Sequence, residues 1–219
     1  MAVTGLASGA VITGYSYPMV AKYINTAGTI SHSDGMDLAR GVSVSVSIET
    51  LGEDNTFYAN NGAAEVAPLR FKSGTATLTV DGLLRAAEDL ILGLPAAREA
   101  TVGTGTVEWT DYGDDQEIPY VTVGYVIRRQ SAGVEFFQAV VFNKCRFAQF
   151  EPSAETQGED IDWQTTELEA KLLHDDSSKH NWKAISEPLA TELEAYNAVR
   201  VALGLSVATA LPGNGAITA

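Results

Sequence analysis

The chain has few of the residues that usually announce chemistry. A single cysteine, Cys145, among 219 residues excludes an intrachain disulfide framework and points to synthesis in a reducing compartment. No helix-start signal or histidine adjoins it, so it lacks the surroundings that make a thiol reactive. Positive charge is scarce as well: 14 Lys and Arg stand against 28 Asp and Glu, a formal net charge of -14. Without a basic stripe the chain cannot neutralise a run of phosphates, which excludes tight nucleic-acid binding. No apolar run approaches the ~20 residues needed to cross a bilayer. The apolar, Gly-rich opening MAVTGLASGAVITG lacks the basic start of a secretory signal and reads as a flexible arm. A Gly-x-Ser-x-Gly nucleophile elbow is missing, and only three histidines are present.

What is there is apolar and alternating. The composition is 45% hydrophobic and 19% charged; the charge fraction falls below the roughly 25% usual for soluble domains, leaving uncharged surface for contacts. The length suits one large β domain or two small ones, enough to fold without metal or disulfide staples. In GVSVSVSIE, Val42, Val44, Val46 and Ile48 alternate with Ser43, Ser45, Ser47 and Glu49, the period of a strand with one buried face. TATLTVD does the same, with Ala76, Leu78 and Val80 against Thr75, Thr77, Thr79 and Asp81. The long connection between them carries Gly52, Asn60, Asn61, Gly62 and Pro68, and connections of that length are usually functional or mobile. LLRAAEDLILGL predicts a helix over 83–94 that packs Leu83, Leu84, Ala87, Leu90, Ile91 and Leu94 inward and stops at Gly93 and Pro95. ATVGTGTVEWTDYGDDQEIP reads as turn or loop. YVTVGYVIRRQ and VEFFQAVVFNKCRFAQF predict two strands joined as a hairpin at Ser131-Ala132-Gly133. In IDWQTTELEAKLL the apolar parity changes from Ile161 and Trp163 to Leu168, Ala170 and Leu172, which predicts a bulge near Thr165-Thr166. A second helix follows, with Leu189, Leu193, Tyr196, Val199 or Arg200, and Leu203 at helical spacing, Ser186 as N-cap and Gly204 as stop. The remainder, SVATALPGNGAITA, reads as a loosely held tail.

Candidate chemistry is sparse. His174, Asp175, Asp176 and His180 in HDDSSKH offer imidazole and carboxylate, the donor types of a metal-dependent hydrolase, but in no recognised ligand spacing; a solvated turn is the plainer reading. His32 in SHSDG reads as a turn residue. Asp111, Asp114, Asp115 and Glu117 in DYGDDQE carry oxygens that suit calcium, without the ligand order of an EF-hand. GTGT at 103–106 has no following Lys and opens no helix, which argues against a phosphate loop. Trp109, Trp163 and Trp182 would make a sugar-stacking platform if they met, the basis of a competing reading as a monomeric carbohydrate-binding module; tryptophans on strands more often fill a core or an interface. None of this calls for a cofactor or a catalytic role.

The order of segments resembles the major tail protein family of long-tailed bacteriophages, the tail tube subunits of siphophage type. The segments that carry the resemblance are YPMVAKYINTAGTISHSDGMDLARGVSVSVSIET, FYANNGAAE, LLRAAEDLILG, IPYVTVGYVIRRQ and FFQAVVFNKCRFAQFEPSAETQGEDIDWQTTELEAKLL. They cover most of residues 17–173; residues 1–14 and the portion from about Ser186 have no counterpart in it. The resemblance implies a mainly β fold with flanking helices, a β-sandwich or barrel of the tail tube type. Its division is an N-terminal arm over 1–16, the tube domain over 17–185, and a C-terminal helix and tail over 186–219. It also implies hexameric rings stacked into a virion tail channel for genome delivery, made in the host cytoplasm, with tape measure, terminator and tip proteins as partners and no membrane. In such a ring the strand faces that are small and polar are the candidates for the channel wall: Ser43, Ser45, Ser47 and Glu49, with Thr75, Thr77, Thr79 and Asp81, and less strongly Asp162 and Gln164. An acidic and hydroxyl wall would let DNA pass without holding its phosphates. Glu53, Asp54, Phe57, Tyr58, Asn60, Asn61 and Glu65, in the long connection, are the candidates for contact between stacked rings. Residues 50–72 are expected to be poorly ordered in a lone subunit and to order on stacking.

Overall fold

The structure is a computed structural model that describes residues 9–51, 56–59, 62–66, 69–150, 156 and 164–213. Its strands run β1 (Val11–Thr26), β2 (Thr29–Asp37), β3 (Gly41–Leu51), β4 (Thr56–Ala59), β5 (Gly62–Val66) and β6 (Arg70–Val80). The helix α1 (Arg85–Leu92) precedes β7 (Arg98–Val102), β8 (Gly105–Trp109), β9 (Val121–Ser131), β10 (Val134–Phe147), β11 (Thr166–Leu173) and β12 (Lys183–Ile185), and α2 (Glu192–Ala202) ends the series. An eight-stranded antiparallel sheet takes the order β2-β1-β9-β10-β11-β6-β3, with β12 on β10. The two hairpins β4–β5 and β7–β8 form small sheets of their own.

Two tight turns build the centre of the sheet. Ala27-Gly28 and Ala132-Gly133 both have positive φ, the geometry of a two-residue turn whose twist matches the flanking strands. The second is the hairpin expected from sequence. The first closes β1 on β2, two strands that the sequence reading did not place. The outer edge of β10 changes partner midway: Val140, Val141 and Phe142 pair with β12, and Lys144 to Phe147 pair with β11.

The sheet has apolar residues packed on both sides. Val121, Val123, Tyr125 and Ile127 of β9 share one core with Leu168, Ala170 and Leu172 of β11, Ala76, Leu78 and Val80 of β6, and Ile91 and Leu92 of α1. The intervening Val126, with Met19, Ala21, Ala139 and Val141, packs beneath Ala195, Tyr196 and Val199 of α2 and Leu203 at its C-cap. Because β9 is covered on both faces, its sequence is a nearly unbroken apolar run rather than an alternation.

Several expectations change in detail. Residues 11–16, assigned to the arm, are the start of β1 and pair with β9. The helix expected over 83–94 spans Arg85–Leu92; Leu92 is fully buried, whereas Leu90 is half-buried against the same core. Ser186 does not cap α2. Thr191 does, in a capping box with Glu194, while the Ser186 hydroxyl accepts from the Ala139 amide at 2.9 Å. Leu205, Ala208 and Leu211 pack against the α2 core, and Asn197 exchanges two hydrogen bonds with Ala208, so the chain through 211 is held. The stretch read as loop after α1 contains the β7–β8 hairpin, and the long connection between β3 and β6 contains β4–β5. The bulge expected at Thr165-Thr166 falls at the first residue of β11, beside residues outside the described ones. No helix among the described residues is long and apolar enough to cross a membrane.

Candidate functional site

The two alternating segments singled out in the sequence become adjacent strands. β3 pairs antiparallel with β6, setting Ser43 opposite Thr79, Ser45 opposite Thr77, Ser47 opposite Thr75 and Glu49 opposite Ser73. Register locks all of these onto one face, because their apolar neighbours Ala76, Leu78 and Val80 are buried on the other. The Ser43 hydroxyl donates to Thr79 Oγ1 and the Ser73 hydroxyl to Glu49 Oε2, each at 2.9 Å. Lys72 lies 3.6 Å from the same Glu49 oxygen. Asp81 is the exception among the eight. It lies past the end of β6, where its carboxylate accepts from the Arg40 amide at 3.0 Å and pairs with the Arg40 guanidinium.

β11 extends the face. Glu167 lies opposite Thr79, Glu169 opposite Thr77 and Lys171 opposite Thr75; Arg146 of β10 follows opposite Lys171. The result is rows of hydroxyl, hydroxyl and charge across β3, β6 and β11. One end of the face is concave, a groove of about 610 Å³ lined by Ser47, Glu49, Thr75, Glu169, Lys171 and Arg146 among others. Glu167, Glu169 and Lys171 were missing from the sequence reading, although their signal was present: they alternate with Leu168, Ala170 and Leu172, the apolar parity already recognised. Gln164 lies just before β11 and is exposed; Asp162 lies outside the described residues.

β3 departs from the expectation of one buried face. It ends the sheet, and of its apolar set only Val44 packs against the core, while Val46 and Ile48 are exposed. Of the candidates in the long connection, Phe57 and Tyr58 belong to β4 and Glu65 to β5, with Phe57 opposite Glu65. Glu53, Asp54, Asn60 and Asn61 lie outside the described residues.

The other chemical candidates are committed elsewhere. The His174 ring reaches the His180 carbonyl with Nδ1 at 2.6 Å and the Phe71 carbonyl with Nε2 at 3.1 Å. Asp175, buried, accepts from Asn143 at 2.9 Å and from the Ser177 hydroxyl at 2.6 Å. Asp176 accepts from Tyr23 at 3.0 Å and from Lys144 at 2.9 Å, and the Lys144 hydrogen bonds hold its carboxyl below the usual range. These contacts tie one turn to β1, β6 and β10, so the four groups do not converge on a point. Among the described residues no three His, Cys, Asp or Glu side chains gather as a metal would require. The Cys145 thiol is wholly buried, and burial pushes its pKa up, which makes it a core residue and a poor nucleophile. Trp109 is exposed on β8 under Arg98, whereas Trp182 stacks on Phe71 at 4.5 Å; these two form no common platform, and Trp163 lies outside the described residues. Compared with models of known protein families and with curated proteins, the chain has no match.

Proposed function

We propose that this chain is a structural, non-enzymatic subunit that assembles with copies of itself into stacked rings, as the tail tube subunit of a bacteriophage. The observation that carries this reading is the continuous face of small hydroxyls and carboxylates across β3, β6 and β11, on a sheet whose last strand pairs, among the described residues, on one side only. An open strand edge invites pairing with another chain, and the exposed Val46 and Ile48 add apolar area that a neighbour would cover. If that pairing continues the sheet from subunit to subunit, alternate side chains of β3 and β6 line the channel, because strand periodicity is two. The order of sequence segments supports the same family, and the β-sandwich or barrel architecture of the tube type is part of the proposal. Arg146 and Lys171 make one end of that wall less acidic than the remainder. DNA would then meet mostly hydroxyl and carboxylate groups and slide without being held.

Electron microscopy of the purified protein across rising concentration tests the proposal. Rings or hollow tubes are expected to appear as concentration rises; particles that stay monomeric at the highest soluble concentration would contradict it.

A further inference from the structure

One transverse row of the polar face gathers its positive charge. Register sets Ser47 of β3, Thr75 of β6, Lys171 of β11 and Arg146 of β10 side by side, each opposite the next. Their chain neighbours Ala76, Leu172, Cys145 and Phe147 are buried on the other side of the sheet. The row reads hydroxyl, hydroxyl, cation, cation, and all four side chains line the groove of about 610 Å³. Like charges directly opposite on adjacent strands destabilise a sheet, and Lys171 opposite Arg146 is such a pair. The neighbouring cations are neutralised: Lys72 lies 3.6 Å from Glu49 and Lys144 lies 2.9 Å from Asp176. Arg146 and Lys171 have no carboxylate at ion-pair distance among the described residues.

The groove holds these two cations where one anion can meet both. The Arg146 guanidinium lies 5.9 Å from the ring centroid of Tyr120, which also lines the groove. Neighbouring strands are about 4.8 Å apart, so the Lys171 and Arg146 stems start one strand spacing apart and both reach a single tetrahedral oxyanion. A guanidinium fork and an ammonium give it charge-assisted donors, and the Thr75 and Ser47 hydroxyls continue the donor row. Carboxylates limit how far the anion extends. Glu169, opposite Thr77, bounds the row on one side, and Glu49, opposite Ser73, bounds it on the other; both line the groove. A phosphate chain running along the strands would meet a carboxylate on either side, whereas one oxyanion fits between them.

We propose that the Ser47–Thr75–Lys171–Arg146 row binds one small oxyanion of the phosphate class, taken free from solution rather than as part of a nucleic acid. The site is complete within one chain, so it does not depend on self-assembly. If the face is the wall of a tube, the bound anion cancels the charge of this row in every subunit, and passing DNA meets no uncompensated cation there.

Calorimetric titration of the full-length chain with inorganic phosphate in low-chloride buffer tests the site. Saturable binding of one phosphate per chain is expected, with a dissociation constant on the order of 1 mM. Lys171→Gln and Arg146→Gln, both at exposed positions, are each expected to weaken it about tenfold, and without phosphate to melt no lower than the wild type, since each relieves the like-charge pair. Arg98→Gln, which removes a cation from the β7–β8 hairpin, is expected to leave the affinity unchanged. A short thymidine oligonucleotide is expected to bind the wild type about tenfold more weakly than phosphate, and Glu169→Gln is expected to remove that difference. No saturation by phosphate well above the expected constant overturns the site. Binding that Lys171→Gln and Arg146→Gln leave unchanged overturns it too, as an adventitious ion only. An oligonucleotide that binds the wild type more tightly than phosphate overturns it in favour of a nucleic-acid contact. Tubes that form while phosphate fails to bind sink this site alone, and a monomer that binds phosphate sinks only the assembly reading.

Discussion

Gly124 sits in β9 where α2 comes down on the sheet. A Cβ there would lie 2.4 Å from Val199 Cγ1 and 3.1 Å from Leu203 Cδ1, so the absence of a side chain sets how closely the helix packs. Gly124→Val overfills that contact and is expected to cost about 1–3 kcal/mol, read as a lower denaturant midpoint; Gly113→Ala, with open space around it, is expected to leave the midpoint unchanged. Asp37 gives a residue-scale pH signature. It is buried at the end of β2, where the Tyr196 hydroxyl donates to its carboxylate at 3.3 Å. Burial nevertheless raises its pKa above the ordinary carboxyl value. A raised acid holds its proton more tightly in the folded state. Its stabilising contribution is therefore complete below the unfolded value of about 3.9 and is lost as pH rises through the folded pKa. Denaturant unfolding from pH 3.5 upward is expected to show a shallower fall in Asp37→Asn than in the wild type; identical slopes would contradict this assignment.

At the scale of elements, caps and turns decide what is formed. The Thr191 side chain accepts from the Glu194 amide at 3.2 Å, and the Glu194 carboxylate accepts from the Thr191 amide at 3.3 Å. Thr191→Ala is expected to cost about 1 kcal/mol through the frayed start of α2, measurable in a thermal melt. On α1, Leu92→Asp would bury a lone carboxylate and is expected to cost on the order of 3 kcal/mol or more, with Leu90→Asp milder because Leu90 is half-buried. Sequence alone was readable where one face of a strand is buried and the other wet, as in Thr75 to Val80, and where a glycine stops a helix, as at Gly93 and Gly204. It was less readable in β1, whose register shifts near Ile12 and between Ser16 and Met19 break the alternation. Ala27-Gly28 was overlooked although Ala132-Gly133, the same dipeptide, marked a hairpin, because the flanking residues Asn25, Thr26 and Thr29 are polar. The β7–β8 hairpin was hidden for a related reason: glycine and acidic residues surround strands that are exposed along nearly their whole length. The β3 and β6 rows of the candidate wall could be drawn from alternation, yet that they form one face with Glu167, Glu169 and Lys171 depends on the β3–β6–β11 order, which local pattern does not encode.

For the whole molecule, charge distribution matters more than its sum. The net charge of -14 disfavours holding DNA on the bulk of the surface, and in the proposed tube passage would depend on the groups that line the channel. Ser45 and Thr77 are directly opposite on adjacent strands, so Lys at both places would set a doubled band of positive charge around a ring. Assembled Ser45→Lys, Thr77→Lys particles are expected to retain DNA at low salt and release it as salt rises, since each phosphate contact releases counterions. Wild-type particles are expected to retain none at either salt. The central claim is that the hydroxyl and carboxylate face of β3, β6 and β11 is the inner wall of an assembly of identical subunits. A cryo-electron microscopy reconstruction of the assembled wild-type protein tests this most directly. The account predicts a hollow tube with Ser45, Thr77 and Glu169 facing the channel; a tube with those side chains on its outer surface, or no ordered assembly at all, would contradict it.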